Sequence, residues 1–161
     1  MSIVEKTLMK AEWGTEIDSR LDALEDVVQA SGQQAVSAVI TSGLLANGAT
    51  ANLDLQTIGR KATLWAVTAH NATGLWWVRA YSTSAQRTAD ASRSYTVDPA
   101  SLNACLFELL LDATVTAPYV LDARVSNRDV PKVPKIYLAI TNLSGSSGTL
   151  NLTLEAMIEE A

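Results

Sequence analysis

Two stretches decide the fold: Leu75-Trp76-Trp77-Val78-Arg79-Ala80-Tyr81 and Leu150-Asn151-Leu152-Thr153-Leu154. Side chains two residues apart lie on the same face of a strand. In the second stretch Leu150, Leu152 and Leu154, continued by Ala156 and Ile158, stand opposite Asn151, Thr153, Glu155 and Met157, so one face is dry and the other wet. In the first stretch Trp76 and Trp77 are chain neighbours and must face opposite ways. That places one of them in a core and leaves the other for a second surface.

The same period of two recurs outward from these stretches. Leu53, Leu55 and Thr57 alternate with Asn52, Asp54 and Gln56. Residues 36–41, 63–70, 75–82, 105–111, 119–123, 136–141 and 149–158 bring the expectation to about eight strands. The alternation in the second of these segments sets His70 on the same side as Leu64 and Ala66. Turn-forming residues fall between the segments: Asn47-Gly48, residues 71–74, and Ser144-Gly145-Ser146-Ser147-Gly148. Pro131 and Pro134 keep residues 125–135 out of a central strand, because proline cannot donate to a ladder. Short strands with no helices between them predict an all-β fold, an antiparallel β-sandwich, with a jelly-roll order preferred to an immunoglobulin-like one.

Ahead of the strands the spacing predicts one short α-helix. Thr15 is placed to cap it, Asp18 to complete the cap, and Ser31-Gly32 to end it. Ile17, Leu21, Leu24 and Val28 share one stripe. This divides the chain into a helical arm, residues 1–32, and a β-sandwich domain, residues 33–161. A helix of about 15 residues is marginal alone, so the stripe needs a cover. The cover is either the chain's own β domain or identical helices in a short parallel bundle, and we take the bundle, with the four residues serving oligomerisation or docking. The same register reaches Gly14 and Lys10 upstream, so the bundle is brief.

Of the net charge of −5, the first 31 residues hold −4, as Glu5, Glu12, Glu16, Asp18, Asp22, Glu25 and Asp26 outnumber Lys6, Lys10 and Arg20. The β region is nearly neutral, which argues against a nucleic-acid partner. Cys105 is the only cysteine, which excludes an intrachain disulfide and fits a reducing compartment. Residues 1–10 lack the apolar stretch of a secretory signal, and no run approaches the roughly 18 apolar residues of a membrane span, so no membrane association is expected.

Residues 83–104 break the pattern: they are polar, aperiodic, and longer than most loops. Arg87, Asp90 and Arg93 sit within them at steps of three. If that piece turns helically, one carboxylate lies between two guanidiniums, and arginine grips carboxylates through paired hydrogen bonds. The cluster is read as a clasp for the loop, with a basic patch for an acidic group on a partner or glycan as the alternative. Among the aromatics, Trp65, Trp76, Trp77 and Tyr81 are candidates for a subunit interface, for packing within the domain, or for stacking on a sugar ring.

Catalytic chemistry finds no support. His70 is the sole histidine and Cys105 the sole thiol, no metal-ligand spacing occurs, and Ser144 to Gly148 lacks the lysine and helix of a phosphate loop. No catalytic residue, metal or cofactor is expected.

Three segments in order are familiar together: Trp77-Val78-Arg79-Ala80-Tyr81-Ser82-Thr83, then Gln86-Arg87-Thr88-Ala89-Asp90-Ala91-Ser92-Arg93, and later Ile136-Tyr137-Leu138-Ala139-Ile140-Thr141-Asn142-Leu143-Ser144-Gly145. Across residues 62–158 the chain resembles a β-sandwich domain of structural proteins of tailed bacteriophages, found in tails, baseplates and fibres. The resemblance implies a virion component without enzymatic activity, assembled in the bacterial host cytoplasm, with other phage virion proteins as partners. A homotrimer with the helices gathered near its axis is the expected assembly. A carbohydrate- or receptor-binding module at a fibre tip and a capsid decoration protein are the alternatives.

Overall fold

A computed structural model describes residues 34–70, 72–101, 105–115 and 117–160. The helix expected in the arm, with Ile17, Leu21, Leu24 and Val28, lies outside the described residues. Eight strands follow in order: β1 (Gln34–Leu45), β2 (Thr50–Leu55), β3 (Lys61–His70), β4 (Leu75–Tyr81), β5 (Phe107–Asp112), β6 (Tyr119–Ser126), β7 (Ile136–Asn142) and β8 (Gly148–Glu160). One short helix, α1 (Ser84–Ala89), stands between β4 and β5. The strands form two antiparallel four-stranded sheets, ordered β1-β8-β3-β6 and β2-β7-β4-β5.

The core lies between the sheets and is made by the alternation already visible in the chain. From β8, Leu150, Leu152, Leu154 and Ala156 are buried, and from β4, Trp76, Val78 and Ala80. Leu64 and Val67 of β3, Leu111 of β5 and Ile136, Leu138 and Ile140 of β7 pack with them, joined by Ala38, Leu55, Ile58 and Val125. Fully burying side chains of this size contributes roughly 1.5–3 kcal/mol each before entropy is counted. This apolar interior holds the two sheets together.

In β3 the face assignment differs from the sequence reading. The register slips between Leu64 and Ala66 against both β6 and β8. A bulge inserts one residue and moves every later side chain to the opposite face. Leu64 is buried as expected, yet beyond the bulge Val67 and Ala69 point inward and His70 is exposed, with its Nε2 3.1 Å from the Thr153 hydroxyl. Trp65, the residue at the slip, is 37% exposed.

The connections are fixed by polar side chains. Asn142, completely buried, donates to the carbonyls of Leu45 and Ser146 and accepts from the Ser144 amide. Asn127 does the same for the β6–β7 connection, donating to the Lys135 carbonyl and accepting from the amides of Asp129 and Val133. At the turn before β4, Gly74 has φ +72° and its Cα faces Ser144 so closely that an added Cβ would fall 2.8 Å from the Ser144 Cβ. Only glycine meets both conditions without strain.

Candidate functional site

The alternation that sends Trp76, Val78 and Ala80 inward sends Trp77, Arg79 and Tyr81 to the outer face of the β2-β7-β4-β5 sheet. All three are buried there, Arg79 to 1% exposure. The cover comes from the polar segment that follows β4. Thr83 caps α1, accepting from the Gln86 amide while the Gln86 side chain accepts from the Thr83 amide. The helix stops at Ala89, and Asp90 closes it, its amide donating to the Gln86 carbonyl at 3.0 Å. This stop aims the Asp90 carboxylate back at the sheet.

Three side chains meet on that carboxylate or its backbone. Arg93 forms a fork on it, with Nε 2.6 Å from Oδ1 and Nη2 3.1 Å from Oδ2. Tyr81 donates its hydroxyl to Oδ2 at 2.6 Å. Arg79 Nη1 donates to Oδ2 at 3.2 Å and to the Asp90 carbonyl at 3.1 Å, while its Nη2 reaches the Thr141 hydroxyl of β7 at 3.2 Å. Arg93 also bonds both Glu108 oxygens on β5, at 3.1 and 3.0 Å, and the Val97 carbonyl at 2.6 Å. Glu108 in turn accepts the Trp77 indole N–H at 2.7 Å. Both guanidiniums lie over the Trp77 ring, Arg79 at 3.6 Å and Arg93 at 4.9 Å from its centroid, and Tyr95 meets the ring edge-on. Two cations and two carboxylates balance, so the cluster is close to neutral.

The electrostatics follow from this packing. Burial alone raises a carboxyl's pKa, but the hydrogen bonds from Arg93 and Tyr81 and the two guanidinium charges win, holding Asp90 below the ordinary aspartate range. Burial first, and then the bond to Asp90, push the Tyr81 hydroxyl upward, so it stays a donor. Arg79 Nε is buried without a hydrogen-bond partner, and contact with the Trp77 face partly offsets that loss.

Of the expected trio, Asp90 and Arg93 pair and Arg87 does not join them. Arg87 projects from α1 to the β2–β7 edge, where Nη1 donates to the Leu53 carbonyl at 2.9 Å and to Asp54 at 3.1 Å. Asp54 also accepts from Lys135 at 2.8 Å, and both cations approach the Tyr137 ring. The step-of-three spacing assumes one continuous helix, and α1 ends before Asp90.

Trp76, Trp77 and Tyr81 are enclosed by the chain's own atoms. Packing within the domain accounts for them, and their faces are closed to a sugar. Of the four aromatic candidates only Trp65 reaches the surface. Arg79, Glu108 and Thr141 are the participants that sequence reasoning missed as site residues. One signal was available: an arginine between two outward aromatics in an otherwise apolar strand.

Reactive groups are muted. Burial pushes the Cys105 thiol up to about 11, and its single S–H lies 2.8 Å from the Phe107 carbonyl and 3.3 Å from that of Ala80, so it is a poor nucleophile at neutral pH. Among the described residues no group of three or more His, Cys, Asp or Glu is placed to hold a metal ion. An open hollow of about 330 Å³ is edged by Thr73, Trp76, Ser144 and Ser147, but Trp76 offers it little surface and spends its N–H on the Thr73 carbonyl.

No protein-family model matches the chain, and no curated protein matches it either. Among solved structures, a chain from Bacillus endospore appendages, described as a novel family of disulfide-linked pili, aligns over 78% of this chain and 90% of its own length, with 8% identity and a TM-score of 0.35.

Proposed function

We propose that this chain is a non-enzymatic structural protein of a bacteriophage virion, a component of a tail, baseplate or fibre that acts through self-association and docking to other virion proteins. The strand orders β1-β8-β3-β6 and β2-β7-β4-β5 support a jelly roll, an architecture suited to presenting edges and loops from a rigid frame. The observation that carries the reading is where the family-like sequence marks sit. Arg79, Tyr81, Asp90 and Arg93 converge with Glu108 in one buried clasp close to neutral, Thr141 accepts from Arg79 on the same sheet, and Asn142 ties neighbouring loops to it. Those marks serve to pin a long segment onto a sheet, which is what a mechanical part needs and a catalyst does not. Homotrimerisation through the arm is part of this reading, with Ile17, Leu21, Leu24 and Val28 facing one another near the axis.

Two experiments test it. Mass spectrometry and antibody labelling of purified virions from the phage that encodes the chain should find it in the particle; a chain absent from virions and present only in infected cells removes the proposal. Light scattering of the full chain should give a mass that falls when Leu21→Asp and Leu24→Asp are introduced together. An unchanged mass discards the helical bundle. The receptor-binding alternative rests on Trp65, the one surface-reaching aromatic of the four, and a glycan array with the Trp65→Ala chain as control decides it.

A further inference from the structure

Each sheet has two edges, and three of the four strands there are shorter than β1 and carry charge. β2 spans six residues and bears Asp54, held by Arg87 and Lys135. β5 spans six and bears Glu108 and Asp112. β6 spans eight, bears Asp122 and Arg124, and follows Pro118. Short length, charge and proline are the devices by which natural sheets prevent edge-to-edge pairing. β1 departs from them. It runs for 12 residues as QAVSAVITSGLL, with no charged residue and no proline. On one side it pairs with β8, and among the described residues no strand pairs with it on the other. Its outward side chains Ala35, Ser37, Val39 and Thr41 are exposed, Val39 to 74%.

We propose that β1 is a docking edge for a second copy of this chain, which adds its own β1 in antiparallel register around a two-fold axis. Three observations select this occupant. A strand that lacks charge meets its own copy without opposing like charges. The ladder available from Gln34 to Thr41, where β1 pairs regularly before its irregularity near Leu44, is longer than β2 or β5 could match, and β6, which matches it in length, brings Asp122 and Arg124 to a strand that offers them no opposite charge, so β1 itself is the fitting partner. Pairing must also keep Val36, Ala38 and Ile40 on the core side, so opposed residues have the same parity. An axis at Ala38 meets that condition, setting Val36 against the partner's Ile40 and Ser37 against the partner's Val39. Val36 and Ile40, only partly buried in one copy, then cover each other. The result is one sheet continuous through two subunits, an isologous contact that closes.

The test uses the full-length chain. With Leu21→Asp and Leu24→Asp in place, which remove association through the arm, light scattering should report a dimer. Adding Ser37→Lys and Val39→Lys sets lysines against each other across the axis and should convert that dimer to a monomer with unchanged circular dichroism. Amide hydrogen exchange of residues 34–41 should slow as concentration rises. A monomer before the lysines are added, a dimer that survives them, or a mass that keeps growing with concentration each overturns the proposal, the last in favour of a head-to-tail contact. Protection of the 34–41 amides in a monomer also overturns it, because the chain's own residues then cover the edge. If the arm substitutions leave the mass of the parent chain unchanged at a dimer, the trimeric bundle fails and the β1 contact stands.

Discussion

Asp90 is the shared acceptor of the outer sheet surface: Arg79, Tyr81 and Arg93 all bond to it. A buried ion pair contributes little net stability over an apolar replacement of the same shape, but removing one partner strands the other. Asp90→Ala leaves Arg79, 1% exposed, without its carboxylate. The expected cost is about 3–5 kcal/mol, read from urea unfolding midpoints. The pH dependence has a definite sign. Asp90 titrates lower in the folded chain than in the unfolded one, so its contribution is complete above the unfolded value, about 4, and disappears as pH falls through the folded value. The urea midpoint of the parent chain should therefore drop on acidification below about pH 4, and Asp90→Asn should flatten that drop. An equal slope in both chains would place the acid sensitivity elsewhere.

At the scale of elements, α1 shows how a helix forms without an apolar face. None of its residues is buried, and it is under two turns long, so its cap and its outgoing polar contacts hold it. Thr83→Ala removes the reciprocal cap and should cost about 1 kcal/mol, with faster amide exchange confined to residues 84–90 and little change in the core. The cap signal, Thr83 followed three residues later by Gln86, stands in the sequence, but no apolar run follows it to announce a helix. The strands behaved differently. All eight expected segments are strands, because a half-buried strand writes its environment into every second residue. Their ends moved by a few residues in both directions: β1, β6 and β8 run on past the patterned residues, while β2 stops at Leu55 and β5 begins at Phe107. The bulge in β3 was invisible for a related reason: a period of two counts residues and cannot reveal one left unpaired. Hence the sequence put His70 on the wrong face.

For the molecule as a whole, the chain's first described strand pairs with its last, Gln34 opposite Ile158 and Thr41 opposite Asn151. Such pairings close very long loops before they are rewarded. Refolding followed by Trp fluorescence should fall in the millisecond-to-second range typical of all-β sandwiches, and a dominant microsecond phase would contradict this topology. The sequence by itself determined the class of fold, the number of strands and most of the core, because side-chain alternation and turn chemistry are local and each residue carries its own part of the message. Only the tertiary structure decided the sheet order, the fate of Trp77 as a buried platform for two arginines, and the separation of Arg87 from Asp90. Those outcomes depend on which distant strands become neighbours: Glu108 and Thr141 enter the clasp only when β5 and β7 flank β4, and no spacing along the chain records that meeting.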